Sequence, residues 1–247
     1  MPEPSGTLRF ARFAFRPNAL GYCGGTAPAA LFEHVVAGVE DPDLRRLCAD
    51  FAGARPYLEL LAGAAGAGGP LDPRVVEAYW VGGPLLDRVS PAAFGLDLER
   101  RFRGRSTPTE WRWLSGKPAG GAVPHHAFHV LEVYPRVGLL GDGSRDALLA
   151  TMGQCLVRPA RVVNVEGDEL LAMARRLEIV DGRLRLGEEG GERILARSGG
   201  RGFVDGVRPG EWIAVHWGWA CDALSAARRA ALERANAAAV DQAAATT

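Results

Sequence analysis

Two side chains far apart in the sequence, the thiol of Cys155 and the imidazole of His216, are the best equipped for chemistry. Cys155 opens an apolar run over residues 155–165 after a helical segment. His216 closes another run in the stretch Val215-His216-Trp217-Gly218-Trp219-Ala220. Each is expected at the end of a strand, and together they supply a soft metal site or a thiolate–imidazole pair. Arg158, beside that thiol, is expected to favour the thiolate. Cys221 is read as packing beneath the final helix, with a second thiol near His216 as the alternative.

A second constellation lies earlier in the chain. The segment Val123-Pro124-His125-His126-Ala127-Phe128-His129 holds three of the five histidines. Its pattern does not separate helix from strand, but His125 and His129 face the same way in either. They bind a metal with Cys23 or a carboxylate, line a polar pocket, or serve as hydrogen-bonded structure. Cys23 sits among glycines in a tight loop, as a buried small residue or as a functional thiol. Neither CxxC nor HExxH occurs, so neither a zinc knuckle nor a zinc hydrolase is indicated. Serine-hydrolase, P-loop and dinucleotide fingerprints are missing as well.

The elements that position these groups differ between the two halves. Residues 28–67 carry apolar side chains at helical spacing, and prolines follow or start the helical segments. His34 lies on one such stripe and is read as a core or boundary residue. The glycine-rich stretch 63–70 reads as a helix end and linker. Further helices are expected from Pro73 and from Pro91, and the arginines from Arg100 to Arg112 as a solvated face. Residues 107–121 read as loop despite Trp111 and Trp113. A turn over residues 141–144 and a short helix then mark a boundary. Beyond it come short β-like runs at 155–165, 175–180, 183–186, 193–196 and 212–217, with Asp181-Gly182 as a tight hairpin turn. An Ala-rich helix from Ala226 to about Ala239 follows.

The expected fold is therefore α+β with two domains. Residues 1–150 form a mostly helical domain, and residues 151–247 a small β-barrel with a C-terminal helix. Lys+Arg and Asp+Glu are both 29, so charge argues for neither a nucleic-acid nor a membrane partner. No apolar run reaches the roughly 18–20 residues of a membrane span. The start of the chain lacks a secretory pattern, so a cytoplasmic protein with free thiols is expected.

The run Cys155-Leu156-Val157-Arg158-Pro159-Ala160-Arg161-Val162 resembles the opening Cys-Leu-x-x-Pro-x-x-Val of the HypC-type hydrogenase maturation chaperones. The stretch from Gly210-Glu211-Trp212 to His216-Trp217-Gly218-Trp219-Ala220 resembles the later block of the same family. The resemblance covers the C-terminal region and implies an OB-like barrel with a closing helix. It further implies a chaperone without turnover that carries an iron–dicyanide–carbonyl fragment to a [NiFe] hydrogenase large-subunit precursor, among other maturation proteins. Cys155 would hold the iron with His216 beside it, and Pro159, Trp217, Gly218 and Trp219 would meet the partner. In the chaperones the cysteine is N-terminal, whereas here Met152-Gly153-Gln154 and a whole domain precede it. The competing readings are a metal- or thiol-dependent enzyme built on Cys23, His125 and His129, and a pure interaction module.

Overall fold

Proline decides where most of the N-terminal helices begin. A proline stands in the first turn of α2 (Pro28–Ala37), α3 (Pro42–Ala49), α4 (Arg55–Ala65), α5 (Pro73–Trp80), α6 (Pro91–Phe102) and α7 (Pro108–Gly116). Its missing N–H costs nothing there, and its fixed φ suits the first turn. The preceding helix, α1 (Gly6–Ala19), is capped by the Ser5 hydroxyl accepting from Leu8 N. The computed structural model describes residues 3–136 and 144–244. The turn expected at residues 141–144 lies outside them apart from Ser144, which caps α9 (Arg145–Cys155).

Helix α1 is the axis of the helical portion. Phe10, Ala11, Phe13, Ala14 and Phe15 are all buried, and the helix touches α2, α3 and α5 as well as the sheet. α7 corrects the loop expected at 107–121. Thr107 and Glu110 form a reciprocal capping box around Pro108, a start signal strong enough to set a helix. The three-histidine segment is helical: one turn of α8 (His126–Phe128) runs into a π-helical turn over His129–Val133.

The sheet is built from β1 (Arg158–Glu166), β2 (Glu169–Val180), β3 (Arg183–Leu195), β6 (Trp212–His216) and β7 (Trp219–Leu224). A separate two-stranded ribbon pairs β4 (Arg197–Ser198) with β5 (Arg201–Gly202). Pairing runs β1-β2-β3-β7-β6 and returns to β1, closing the sheet. The β3–β7 seam is parallel and rests on the single pair Leu195↔Trp219. Asp181 and Gly182, at φ 52° and 76°, make the two-residue turn between β2 and β3, with Val180 opposite Arg183. The two short runs expected at 183–186 and 193–196 are one strand, because β3 passes through Gly187, Gly190 and Gly191 without breaking.

α10 (Ala226–Ala244) lies across β1, β3 and β7 and reaches α8. Asn236 Nδ2 donates to Val157 O at 2.8 Å, and Lys117, the sole lysine, donates to Gln242 O at 2.8 Å. One cluster of buried apolar residues extends from Phe10 through Tyr79 and Phe128 to Ile213 and Leu232. A buried ion network joins the same parts. Arg9, 1% exposed, meets Glu77 at 2.6 Å and Asp222 at 3.6 Å, and Asp222 also takes Arg12 at 2.9 Å and Arg228 at 2.7 Å.

Candidate metal centre

His216 is the last residue of β6, and a two-residue turn, Trp217-Gly218, follows it before β7. Both turn residues have positive φ, 53° and 67°. Glycine adopts this freely, but for tryptophan the left-handed conformation costs about 1–2 kcal/mol. Three contacts hold Trp217 there. Its N–H donates to Gln154 O at 2.8 Å, its indole is buried to 8% exposure, and Tyr22 stacks on it with ring centroids 4.0 Å apart.

Pro17 determines what the His216 ring can offer. It stands in the last turn of α1 and has no N–H, so the Phe13 carbonyl loses its usual partner four residues on. His216 Nδ1–H donates to that carbonyl at 2.7 Å. Nδ1 therefore carries the proton, and Nε2 presents a lone pair. Nε2 is buried without a hydrogen-bond partner. A fixed tautomer with a carbonyl behind it is the usual outer support of a metal-ligating histidine.

Cys155 is the last residue of α9, not the first of a strand. The helix runs on from Ser144 and ends only where Leu156 turns extended, ahead of β1. Its carbonyl, one of those a helix end leaves open, accepts from His126 Nε2–H at 2.9 Å. On the other side of that ring, Tyr79 Oη–H donates to Nδ1 at 3.3 Å. Moving the proton to Nδ1, with Tyr79 Oη accepting, frees His126 Nε2 toward the thiol, which is 3.9 Å away.

The ligand atoms of His126, Cys155 and His216 all lie within 4.8 Å of one another. Among the described residues this is where histidine, cysteine and carboxylate ligand atoms converge in a group of three or more. A tetrahedral ion with ordinary zinc bond lengths sets its sulfur and nitrogen donors about 3.6 Å apart, so the widest of these separations must close by about 1 Å. Trp80 walls the pair of rings, 4.5 Å from His126 and 5.4 Å from His216 between centroids.

Burial sets the charge of these groups. It lowers His216 to about 4 and His126 well below its ordinary value, with His216 adding to the effect. Both rings are neutral at ordinary pH. Burial pushes the Cys155 thiol up to about 12. This corrects the expectation that Arg158 favours the thiolate. Arg158 points into the sheet, where it meets Glu192 at 3.0 Å and the Arg175 carbonyl at 3.2 Å. The set comprises two neutral imidazoles and a thiol that a bound cation would ionise. Two nitrogens and a sulfur suit zinc, copper(I) or iron(II) rather than magnesium or calcium. The C-terminal end of α9 adds a favourable field for a cation.

The other candidates are placed differently. His125 is the N-cap of α8, its Nδ1 accepting from Ala127 N at 3.1 Å. His129 sits four residues on, its Nδ1 3.2 Å from Tyr57 Oη. These two and Cys23 are not brought together as a ligand group, whereas the omitted middle histidine, His126, is. Spacing favoured the outer pair, and nothing in the pattern singles out the residue between them. Cys221 is buried, its thiol toward Trp219 O. Pro159 is half-buried on β1 and Gly218 half-buried in the turn. Trp219 lies at 1% exposure among Phe15, Phe32 and Phe203, not on a surface.

No helix among the described residues is long and apolar enough to cross a membrane. A family described as a family of unknown function (DUF6390) matches residues 2–247, both portions of the chain together. No curated protein and no solved structure matches.

Proposed function

We propose, for a chain that belongs to this family of unknown function, that it binds a thiophilic transition metal through His126, Cys155 and His216 and hands it on. It works as an accessory chaperone for a metalloenzyme, without turnover of its own. The observation that carries the reading is His216 Nε2, a buried lone pair with no partner, turned by the Phe13 carbonyl toward a thiol and a second imidazole. The likeness of the Cys155 and His216 blocks to the hydrogenase chaperones supports iron(II) carrying cyanide and carbonyl as the cargo, with the hydrogenase large-subunit precursor as recipient. The closed five-stranded sheet, read as an OB-like barrel, and the closing helix agree with that likeness.

The mode of delivery differs from that of an N-terminal cysteine. Cys155 ends a helix and is held from both sides, so the site docks against its recipient rather than threading a free end into it. A thiol- or metal-dependent enzyme built on Cys23, His125 and His129 draws less support, because His125 is occupied as a helix cap.

The test is infrared spectroscopy and metal analysis of the protein co-expressed with hydrogenase maturation factors. Cyanide and carbonyl bands with about one iron per chain are expected, and both are lost in Cys155→Ala and His216→Ala. Bands that persist in Cys155→Ala refute the carrier reading. Metal without bands keeps the centre and rejects the iron fragment as its cargo.

A further inference from the structure

We infer that the cleft between α10 and the strands β1, β2, β3 and β6 binds a nucleoside monophosphate, with the base held by Asn236, Arg158 and Trp212 and the phosphate by Arg175 and Arg234. The cleft shares no lining residue with the metal centre, so the inference stands apart from that reading.

The cleft holds about 500 Å³, a size usual for small-molecule sites. Two buried polar side chains line it, Asn236 at 2% exposure and Arg158 at 5%. Asn236 interrupts the Ala-rich α10, and its Nδ2 donates to the carbonyl of Val157, the residue just before Arg158. Its Oδ1 is left without a partner. Arg158 commits its terminal nitrogens to Glu192 and to the Arg175 carbonyl, and its Nε–H is left without a partner as well. Most buried polar atoms in a stable fold have a partner. A ligand edge that donates to Oδ1 and accepts from Nε–H answers both. Every nucleobase carries such an edge, an N–H beside a carbonyl or a ring nitrogen.

Trp212 lines the same cleft and gives the base a wall to stack on,. Arg229 lies over that indole at 4.5 Å and fixes it. Charge in the cleft favours an anion. Glu189 and Glu233 are matched by Arg161 at 4.0 Å and Arg229 at 3.6 Å. Arg175 donates to neutral carbonyls, Gly187 O and Leu186 O, each at 2.7 Å. Arg234 is exposed on α10 and has no ion pair among the described residues. Two cations without acids suit a phosphate. A free phosphate would leave Trp212 and the two buried polar atoms unanswered.

Calorimetry of the full-length chain with uridine monophosphate, guanosine monophosphate and inorganic phosphate tests the inference. One nucleotide per chain is expected, with inorganic phosphate binding at least roughly 100-fold more weakly. Asn236→Ala and Trp212→Leu should each weaken nucleotide binding roughly 10-fold. Arg234→Glu should weaken it by a similar factor and leave binding of uridine, which lacks the phosphate, unchanged. Asn236→Ala also removes the bond to Val157 O, so Arg234→Glu, on an exposed side chain, decides the matter should that variant fail to fold. No saturable heat with either nucleotide at millimolar concentration overturns the inference. So does phosphate binding as tightly as the nucleotides, or nucleotide affinity unchanged in both Arg234→Glu and Trp212→Leu.

Discussion

Metal uptake should depend on pH with a slope set by the number of thiols that ionise. At pH 6–8 both imidazoles are already neutral, His216 lowered to about 4 and His126 well below its ordinary value by burial, so neither gives up a proton to a metal. The Cys155 thiol, pushed up to about 12 by burial, is fully protonated across that window and must lose its proton to ligate. Each thiolate bound then makes the affinity rise about tenfold per pH unit, or about 1.4 kcal/mol. From pH 6 to pH 8 the apparent affinity should rise roughly 100-fold with Cys155 as the thiol that ligates. The rise should continue above pH 9, whereas an exposed thiol near 8.5 would level off. Competition with a chelator of known pH dependence gives the slope. Calorimetry in buffers of different ionisation enthalpy counts the protons independently. A slope near zero, or a plateau at pH 8.5, refutes the reasoning. A slope that steepens only below pH 6.5 would show the imidazoles titrating, contrary to their burial.

Acid should unfold the metal-free protein early. His125, at about 3, is buried neutral like His126 and His216, and a depressed folded-state value means stability is kept above pH 6.5 and lost as pH falls below it. Each ring costs about 1.4 kcal/mol per unit, so pH 5.5 should remove roughly 4 kcal/mol through these three, measurable as a fall in the urea midpoint. An unchanged midpoint between pH 7 and 5.5 contradicts their burial. Tyr79→Phe removes the hydroxyl against His126 Nδ1 and should weaken metal binding roughly 10- to 100-fold with little change in Tm. Arg9→Ala leaves Glu77 and Asp222 short of a buried partner and should cost about 3–5 kcal/mol, lowering Tm by about 10 °C. A loss below about 1 kcal/mol would mean that Arg12 and Arg228 satisfy both acids unaided.

Much of the fold was legible in local chemistry. First-turn prolines set helix starts, Asp181-Gly182 set the β2–β3 turn, and the Ala-rich end made α10, because each acts within a few residues of itself. Composition alone misleads where a cap or a paired strand decides the local structure. The Thr107–Glu110 capping box outweighed a loop-like composition, and β3 crossed its glycines because β2 pairs along its length.

The sequence by itself singled out Cys155 and His216 as candidates and determined that a helical portion precedes a β portion. Only the tertiary structure decided that the third partner is His126 and not its neighbours. Along one helical turn three histidines differ only in direction, and direction acquires meaning when α8 packs against the end of α9 and the β6–β7 turn. It also decided the state of each ring. That depends on a carbonyl freed by Pro17 on α1, in a part of the chain with no sequence relation to His216.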